Sequence, residues 1–202
     1  MAVWKVVLTG GPCAGKSTAI ERIQATFEEQ GYDVLIVSEV ATDLISGGVS
    51  PWACRTNLDY QKCQMKMQIE KEHVFDRAAR YMKKENVLIV CDRGTLDNKA
   101  YMTEEEFKHI MDFVNEDPEA LIEEYDGVIH MVTAACGAVK HYSHANNTAR
   151  TETIEEATNL DDKIRDAWAG HPRHVVIDNS SGFEEKLEKV VDEIREILKE
   201  VD

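Results

Sequence analysis

The sequence predicts an α/β fold in which helices cover both faces of a parallel β-sheet. First, short apolar segments alternate with longer helical segments along all 202 residues. Second, the apolar segments are continuous rather than alternating, as in parallel strands that are buried on both faces. Third, no internal repeat, low-complexity tract or linker interrupts this order, so we expect residues 1–202 to form a single domain.

The first half of the chain contains three of the expected strands. The glycine pair Gly47-Gly48 ends a short helix, whereas the longest helix contains neither glycine nor proline. In order, we expect a strand at 6–9, a helix from Ser17, a strand at 33–38, a short helix to about Ile45, a long helix at 57–84 and a strand at 87–91.

The second half contains the other two expected strands, at 127–132 and 174–178. Three capping boxes, in which Ser or Thr precedes Glu by three residues, indicate the starts of helices. These boxes begin at Thr103, Thr153 and Ser181, and Asp117-Pro118 starts a further short helix.

The composition of the chain restricts the cellular compartment and the binding partners that we expect for the protein. The formal net charge of −15 argues against a nucleic acid or an anionic membrane as partner. No apolar run approaches the ~20 residues of a membrane-spanning helix, and we find no secretion signal. The five cysteines form no C-x-x-C pair, so we expect reduced thiols in a cytoplasmic protein. Composition leaves the oligomeric state open.

Residues 10–17 read Gly-Gly-Pro-Cys-Ala-Gly-Lys-Ser and fit the phosphate-loop pattern G-x-x-x-x-G-K-[ST]. The pattern lies between an expected strand and an expected helix, where its backbone N–H groups and the helix dipole can bind phosphate. Lys16 is expected to reach the β- and γ-phosphates of ATP, and the Ser17 hydroxyl to bind Mg²⁺. The residues assigned to the nucleotide here are Gly10, Gly11, Pro12, Cys13, Ala14, Gly15, Lys16, Ser17 and Thr18.

Charged residues follow two of the expected strands, at the edge of the sheet where ligands of such folds bind. Asp92 is the candidate second group of the Mg²⁺ site, or else a turn-capping residue. Arg93 either binds a phosphate or forms an ion pair with Glu39 or Asp97. Glu39 is the candidate base that takes a proton from a substrate hydroxyl, or else a carboxylate that favours a helix start.

Further candidates lie on the long helix and at the last strand. Gln61, Gln64, Gln68 and Glu72 share one helix face, which either binds substrate or is solvated. The glutamines and Asp97 are assigned to the substrate. Asp178 and Asn179, at the end of the last strand, are assigned to the nucleotide.

The polar segment at about 134–150 concentrates cations and amides in an otherwise acidic chain. Its place in the sequence predicts a lid over the transferring phosphoryl group. Arg150, at its end, is the first choice for a cation that stabilises the transition state. A guanine-specific switch is not expected, because Asn98-Lys99-Ala100-Tyr101 lacks the aspartate of N-K-x-D.

Segments 10–18, 91–97, 147–153 and 176–179 resemble the NadR/translocation-defect AAA-type P-loop domains. These are similar to the nicotinamide riboside kinase domain and, more distantly, to deoxynucleoside and thymidylate kinases. The resemblance implies a P-loop NTPase fold with a lid and a five-stranded parallel sheet in the order 2-3-1-4-5. It also implies that Glu39 contacts the substrate hydroxyl and that Asp92 and Arg93 form the D-R motif after strand three.

Two functions follow from these features. The first is Mg-ATP-dependent phosphoryl transfer to a small hydroxyl-bearing metabolite, with a nucleoside or nucleotide as the first choice of acceptor. The second is an NTP-binding or slow NTPase module that acts through a protein partner. The identity of the acceptor and the preference for ATP over other nucleotides stay open.

Overall fold

The computed structural model describes residues 2–137 and 153–199, and the strands of these residues form one parallel sheet. The strand order is β2-β3-β1-β4-β5, which confirms the predicted α/β fold and the order that the resemblance implied. The strands are β1 Ala2–Thr9, β2 Asp33–Val37, β3 Asn86–Asp92, β4 Gly127–Met131 and β5 His174–Ile177.

The helices follow the strands in the predicted alternation. The capping boxes at Thr103 and Thr153 are both formed, so that α4 and α6 begin where expected. The helices are α1 Lys16–Glu29, α2 Val40–Ser46, α3 Asn57–Ala79, a 3₁₀ helix Thr95–Tyr101, α4 Glu104–Val114, α5 Pro118–Glu123, α6 Ile154–Ala167 and α7 Phe183–Lys199. No helix of the described residues is long and apolar enough to cross a membrane.

Two helix boundaries differ from the prediction, and one helix was not predicted. Helix α3 ends at Ala79 rather than 84, because Tyr81 and Met82 donate to carbonyls three residues back and turn the chain toward β3. Helix α7 begins at Phe183, so the predicted capping residue Ser181 lies two residues before it and accepts from Lys189 instead. The 3₁₀ helix after β3 carries no sequence pattern that predicted it.

Two cores lie on opposite faces of the sheet. Alternate residues of β1 point to the two faces, since Trp4, Val6 and Leu8 belong to one core and Val7 to the other. The first core packs against α1 and α7, and the second against α3, α4 and α5. Burial on both faces explains why the strands are continuously apolar.

Lys5 is a buried cation inside β1, which is why the predicted strand began only at residue 6. Its Nζ lies 2.9 Å from Asp76, 3.0 Å from Glu124 and 3.7 Å from Glu72. Burial opposes its charge, but the three carboxylates raise the pKa of Lys5 above its ordinary value. This ion cluster lets a charged residue occupy the strand and ties α3 and α5 to β1.

Candidate active site

The phosphate loop connects β1 to α1 through a tightly curled backbone. Gly10 and Gly15 have φ angles of 138° and 93°, in a region that L side chains rarely adopt. Cys13, between them, also has a positive φ, of 58°. The motif glycines therefore stand where the backbone needs them, and the curl brings successive N–H groups to the start of α1.

Lys16, Ser17 and Thr18 form the first turn of α1, and the latter two are exposed. The Lys16 Nζ lies 3.4 Å from the carbonyl oxygen of Gly10, a long hydrogen bond. Burial and the nearby Arg93 lower the pKa of Lys16. A half-buried ammonium with such a weak internal bond suits an anionic ligand that would offer shorter bonds.

Arg93 connects three parts of the site. Its backbone is left-handed, with a φ of 72°, which is costly for a residue with a side chain. Its Nε donates to Glu39 Oε1 at 2.5 Å, and its Nη1 donates to the Gly10 carbonyl at 3.3 Å. Its Nη1 also lies 3.8 Å from Asp97 Oδ2. The guanidinium thus joins the ends of β2 and β3 to the phosphate loop.

Asp92 ends β3 beside the phosphate loop. Within the described residues, its Oδ1 is buried and has no hydrogen-bond partner. Burial raises the pKa of Asp92, although the Lys16 ammonium acts against this rise. An uncompensated carboxylate oxygen together with the exposed Ser17 hydroxyl is an oxygen donor set that suits Mg²⁺.

Glu39 directly precedes α2 but caps nothing with its side chain. Its Oε1 accepts from Arg93, and its Oε2 accepts from the Thr42 hydroxyl at 2.7 Å. Burial acts to raise its pKa, but Arg93 and Lys16 dominate and lower the pKa of Glu39 to about 2. The ion pair between Glu39 and Arg93, one of the two alternatives for Arg93, is therefore present.

The polar stripe of α3 lies inside the protein, so the alternative of a solvated face is wrong. Gln64 Nε2 donates to Asn98 at 2.6 Å. Gln68 Nε2 donates to Glu72 at 2.6 Å and to the Arg93 carbonyl at 3.2 Å. Gln61 is 3% exposed, and its Oε1 has no hydrogen-bond partner among the described residues.

Asp97 lies deeper than a substrate contact requires. It is 1% exposed, and its Oδ1 accepts from Thr9 Oγ1 at 2.7 Å and from Trp168 Nε1 at 2.6 Å. These bonds join β1, the 3₁₀ helix and the residue that follows α6. In this arrangement Asp97 fixes the elements behind the phosphate loop, and its remaining oxygen faces Arg93.

Asp178 and Asn179, the two residues assigned to the nucleotide at the end of β5, differ in their contacts. Asp178 is exposed and accepts from Ser180 through backbone and hydroxyl. Asn179 instead donates its amide to the carbonyls of Thr133 and Cys136, at 2.8 and 2.7 Å. Its Oδ1 accepts from Lys186, so the Asn179 amide is occupied in holding the chain after β4.

Two charged residues that the sequence analysis missed support the phosphate loop. Asp161 Oδ1 accepts from the Gly11 N–H at 2.6 Å, and a Cβ at residue 11 would lie 2.7 Å from this oxygen. Lys186 Nζ donates to the carbonyls of Val132 at 2.7 Å and Ala14 at 3.3 Å. Burial lowers the pKa of Lys186 to about 8. Both residues hold backbone groups of the loop from the side of β4 and β5.

The positions of Asp161 and Lys186 within their helices could have indicated their roles from the sequence. Asp161 lies between the buried residues Ala157 and Ile164 of α6, at offsets of four and three. Lys186 precedes the buried Val190 of α7 by four. A charged residue on the apolar stripe of a helix needs an internal partner, which is the observation that could have indicated both.

Arg150 and most of the predicted lid lie outside the described residues, which resume at residue 153. The described start of that segment, 134–137, is a turn. Asn179 holds this turn through its bond to the Cys136 carbonyl.

The chain was compared with known proteins. A family model described as an AAA domain matches residues 5–186 and thus extends from within β1 to the first turn of α7. No curated protein matches the chain.

Proposed function

The chain belongs to the AAA domain family, and from this premise we propose that it transfers the γ-phosphoryl group of Mg-ATP to a small hydroxyl-bearing metabolite. A nucleoside or nucleotide is the proposed acceptor class. The observation that carries the proposal is the position of Glu39. This carboxylate forms an ion pair with Arg93, and Arg93 also donates to the Gly10 carbonyl of the phosphate loop. A carboxylate at this place can accept a hydrogen bond from a substrate hydroxyl and orient it for attack.

The donor side uses the phosphate loop. Its backbone N–H groups and Lys16 bind the phosphates, and Arg93 can turn from the Gly10 carbonyl to a phosphate oxygen. Ser17 and Asp92 are the residues that would hold Mg²⁺. When bound, this ion neutralises charge on the phosphates and leaves the γ-phosphorus open to attack.

The acceptor side uses Glu39 to orient the attacking hydroxyl. With a pKa of about 2, its carboxylate is a weak base and a permanent hydrogen-bond acceptor. Phosphoryl transfer through a loose transition state depends on position and charge stabilisation more than on early proton removal. Glu39 therefore acts by accepting the hydroxyl hydrogen bond, and Arg150 is proposed to supply the transition-state cation.

One observation favours the second candidate, an NTP-binding or slow NTPase module. Both carboxylate oxygens of Glu39 are already engaged, one by Arg93 and the other by Thr42. If this pair persists in the nucleotide complex, Glu39 is structural and does not orient an acceptor. The surface charge of such a module would then serve a protein partner.

A panel experiment tests the proposal. The protein is incubated with Mg-ATP and, in turn, nucleosides, nucleotides and sugars, and both ADP and phosphorylated acceptor are measured. We expect one class of acceptor to accelerate ADP release and to appear as phosphorylated product. Slow ADP release that no acceptor changes would contradict the kinase and support the module.

A further inference from the structure

The residues proposed for phosphoryl transfer lie on one side of the phosphate loop. Asp92 ends β3, Arg93 follows it and Glu39 follows β2, whereas β4 and β5 continue the sheet on the other side of β1. The transferred phosphoryl group has to lie beside these residues. The rest of the donor nucleotide therefore extends away from them, over the start of α1 toward β4 and β5.

Phe183 lies on that other side, at the first position of α7. Its neighbour Glu184 is 2.7 Å from Arg22 of α1, so the starts of the two helices are adjacent. The phenyl ring packs against Gly15, where a Cβ would lie 2.6 Å from Cε2 and 2.9 Å from Cζ. A phosphate-loop glycine thus makes room for an aromatic ring.

The ring is available to a ligand. Phe183 is 48% exposed, and Ser17 and Thr18 on the adjacent helix start are exposed too. Both N–H groups of the Asn179 amide already donate to carbonyls, so this side chain has no N–H group left for a base. A nucleobase offers a flat aromatic face, and base–aromatic stacking contributes about 1–3 kcal/mol per base.

We propose that Phe183 is the platform on which the nucleobase of the donor nucleoside triphosphate stacks. This proposal rests on the proposed function, since it takes the direction of the nucleotide from the position of the transferred phosphoryl group. Stacking does not read hydrogen-bonding edges, so Phe183 supplies affinity for the base without strict selection among nucleobases.

The variant Phe183→Leu tests the proposal, because leucine keeps an apolar side chain against Gly15 and removes the aromatic face. The full chain is titrated calorimetrically with Mg-ATP and with magnesium tripolyphosphate, which offers phosphates without a base. We expect the variant to lose about 5-fold or more in affinity for Mg-ATP and nothing for tripolyphosphate. Phe113→Leu, at a 57% exposed phenylalanine of α4, is the matched control and should change neither affinity.

Other outcomes contradict the proposal in distinct ways. An equal loss for both ligands would make Phe183 a support of the phosphate loop, and unchanged affinities would make it a bystander. If leucine impairs folding, Phe183→Trp should keep the Mg-ATP affinity, and its fluorescence should change with ATP but not with tripolyphosphate. If the unaltered protein binds neither ligand, the proposed function fails; if it binds both equally well, only the stacking proposal fails.

Discussion

The two sides of the phosphate loop differ in how the charged side chains next to it are bonded. On the side of β2 and β3, Asp92 has a buried oxygen without a hydrogen-bond partner among the described residues, and Lys16 has a 3.4 Å bond. On the side of β4 and β5, Asp161 accepts from the Gly11 N–H at 2.6 Å, and Lys186 donates to the carbonyls of Val132 at 2.7 Å and Ala14 at 3.3 Å. We call the first the ligand side and the second the support side.

This difference distinguishes residues that bind a ligand from residues that fix the backbone of the phosphate loop. A buried polar group without a partner costs free energy, and a bound ligand can remove that cost. Asp161 and Lys186 already bond backbone groups, so they gain little from a ligand but fix the backbone. Variants on the ligand side should therefore change binding or turnover, and variants on the support side should change stability.

The largest effect is expected from Glu39→Gln on the ligand side. The amide keeps the shape but weakens the acceptor, so kcat should fall by about 10²-fold while the affinity for Mg-ATP stays within twofold. Steady-state kinetics with the identified acceptor, together with ATP titration, measure both values. Glu70→Gln, at an exposed ion pair of α3, is the control. Full turnover in Glu39→Gln would make Glu39 structural.

On the support side, Lys186→Met should lower the stability of the protein. It removes the donor from the acceptors of Val132, Asn179 and Ala14 and should lower the free energy of unfolding by about 2 kcal/mol. Urea unfolding measures this change, with Lys189→Met, at a half-buried lysine of the same helix, as control. A variant as stable as the unaltered protein would show that these three carbonyl oxygens do not depend on Lys186.

Lys16→Ala is expected to affect binding alone. Loss of a charge-assisted hydrogen bond to phosphate, about 1.5–3 kcal/mol, should lower the affinity for Mg-ATP at least ~10-fold. The urea midpoint should stay unchanged, because the internal bond of Lys16 is long. Calorimetric titration beside the exposed Lys66→Ala variant checks this. Loss of stability without loss of affinity would reverse the distinction between the two sides.

The smallest effect concerns pH and His174, in β5 on the support side. Burial, with His130 and His171 adding to it, lowers the pKa of His174 to about 4 from an ordinary 6.5. Between these values the unfolded state binds more protons, so the free energy of unfolding should fall as the pH drops from 6.5 to 4. His174→Gln should reduce this slope in urea titrations by part of one proton, while His109→Gln, at an exposed histidine, should not. An unchanged slope in His174→Gln would exclude His174 as its source.

Local patterns made the fold and one side of the site predictable. The phosphate loop is a continuous motif, and capping boxes at Thr103 and Thr153 are read within four residues. The rule that parallel strands end at one edge brought Glu39 and Arg93 to the same place, where they form an ion pair. Whether the two side chains contact each other was left open, because sequence spacing does not distinguish an ion pair between them from separate contacts with a ligand.

The support side was not predictable in the same way. Asp161 and Gly11 are 150 residues apart, and no local pattern joins a carboxylate of one helix to an N–H of a distant loop. The sequence left open whether the stripe from Gln61 to Glu72 binds substrate or is solvated, because glutamines are usually exposed. Its burial depends on partners such as Lys5 and Asn98, which only the tertiary structure brings near.

The large sequence separation between Asp161 and Lys186 and their partners in the phosphate loop also has a consequence for synthesis of the chain. The phosphate loop is synthesised before its partners, because the side chains that bond Gly11 and Ala14 follow 150 and 172 residues later. At about 5–20 residues per second, the later partner follows after roughly 9–34 s. During this interval the nascent loop lacks the bonds that hold its curl, so its final conformation forms only after α7 has been synthesised.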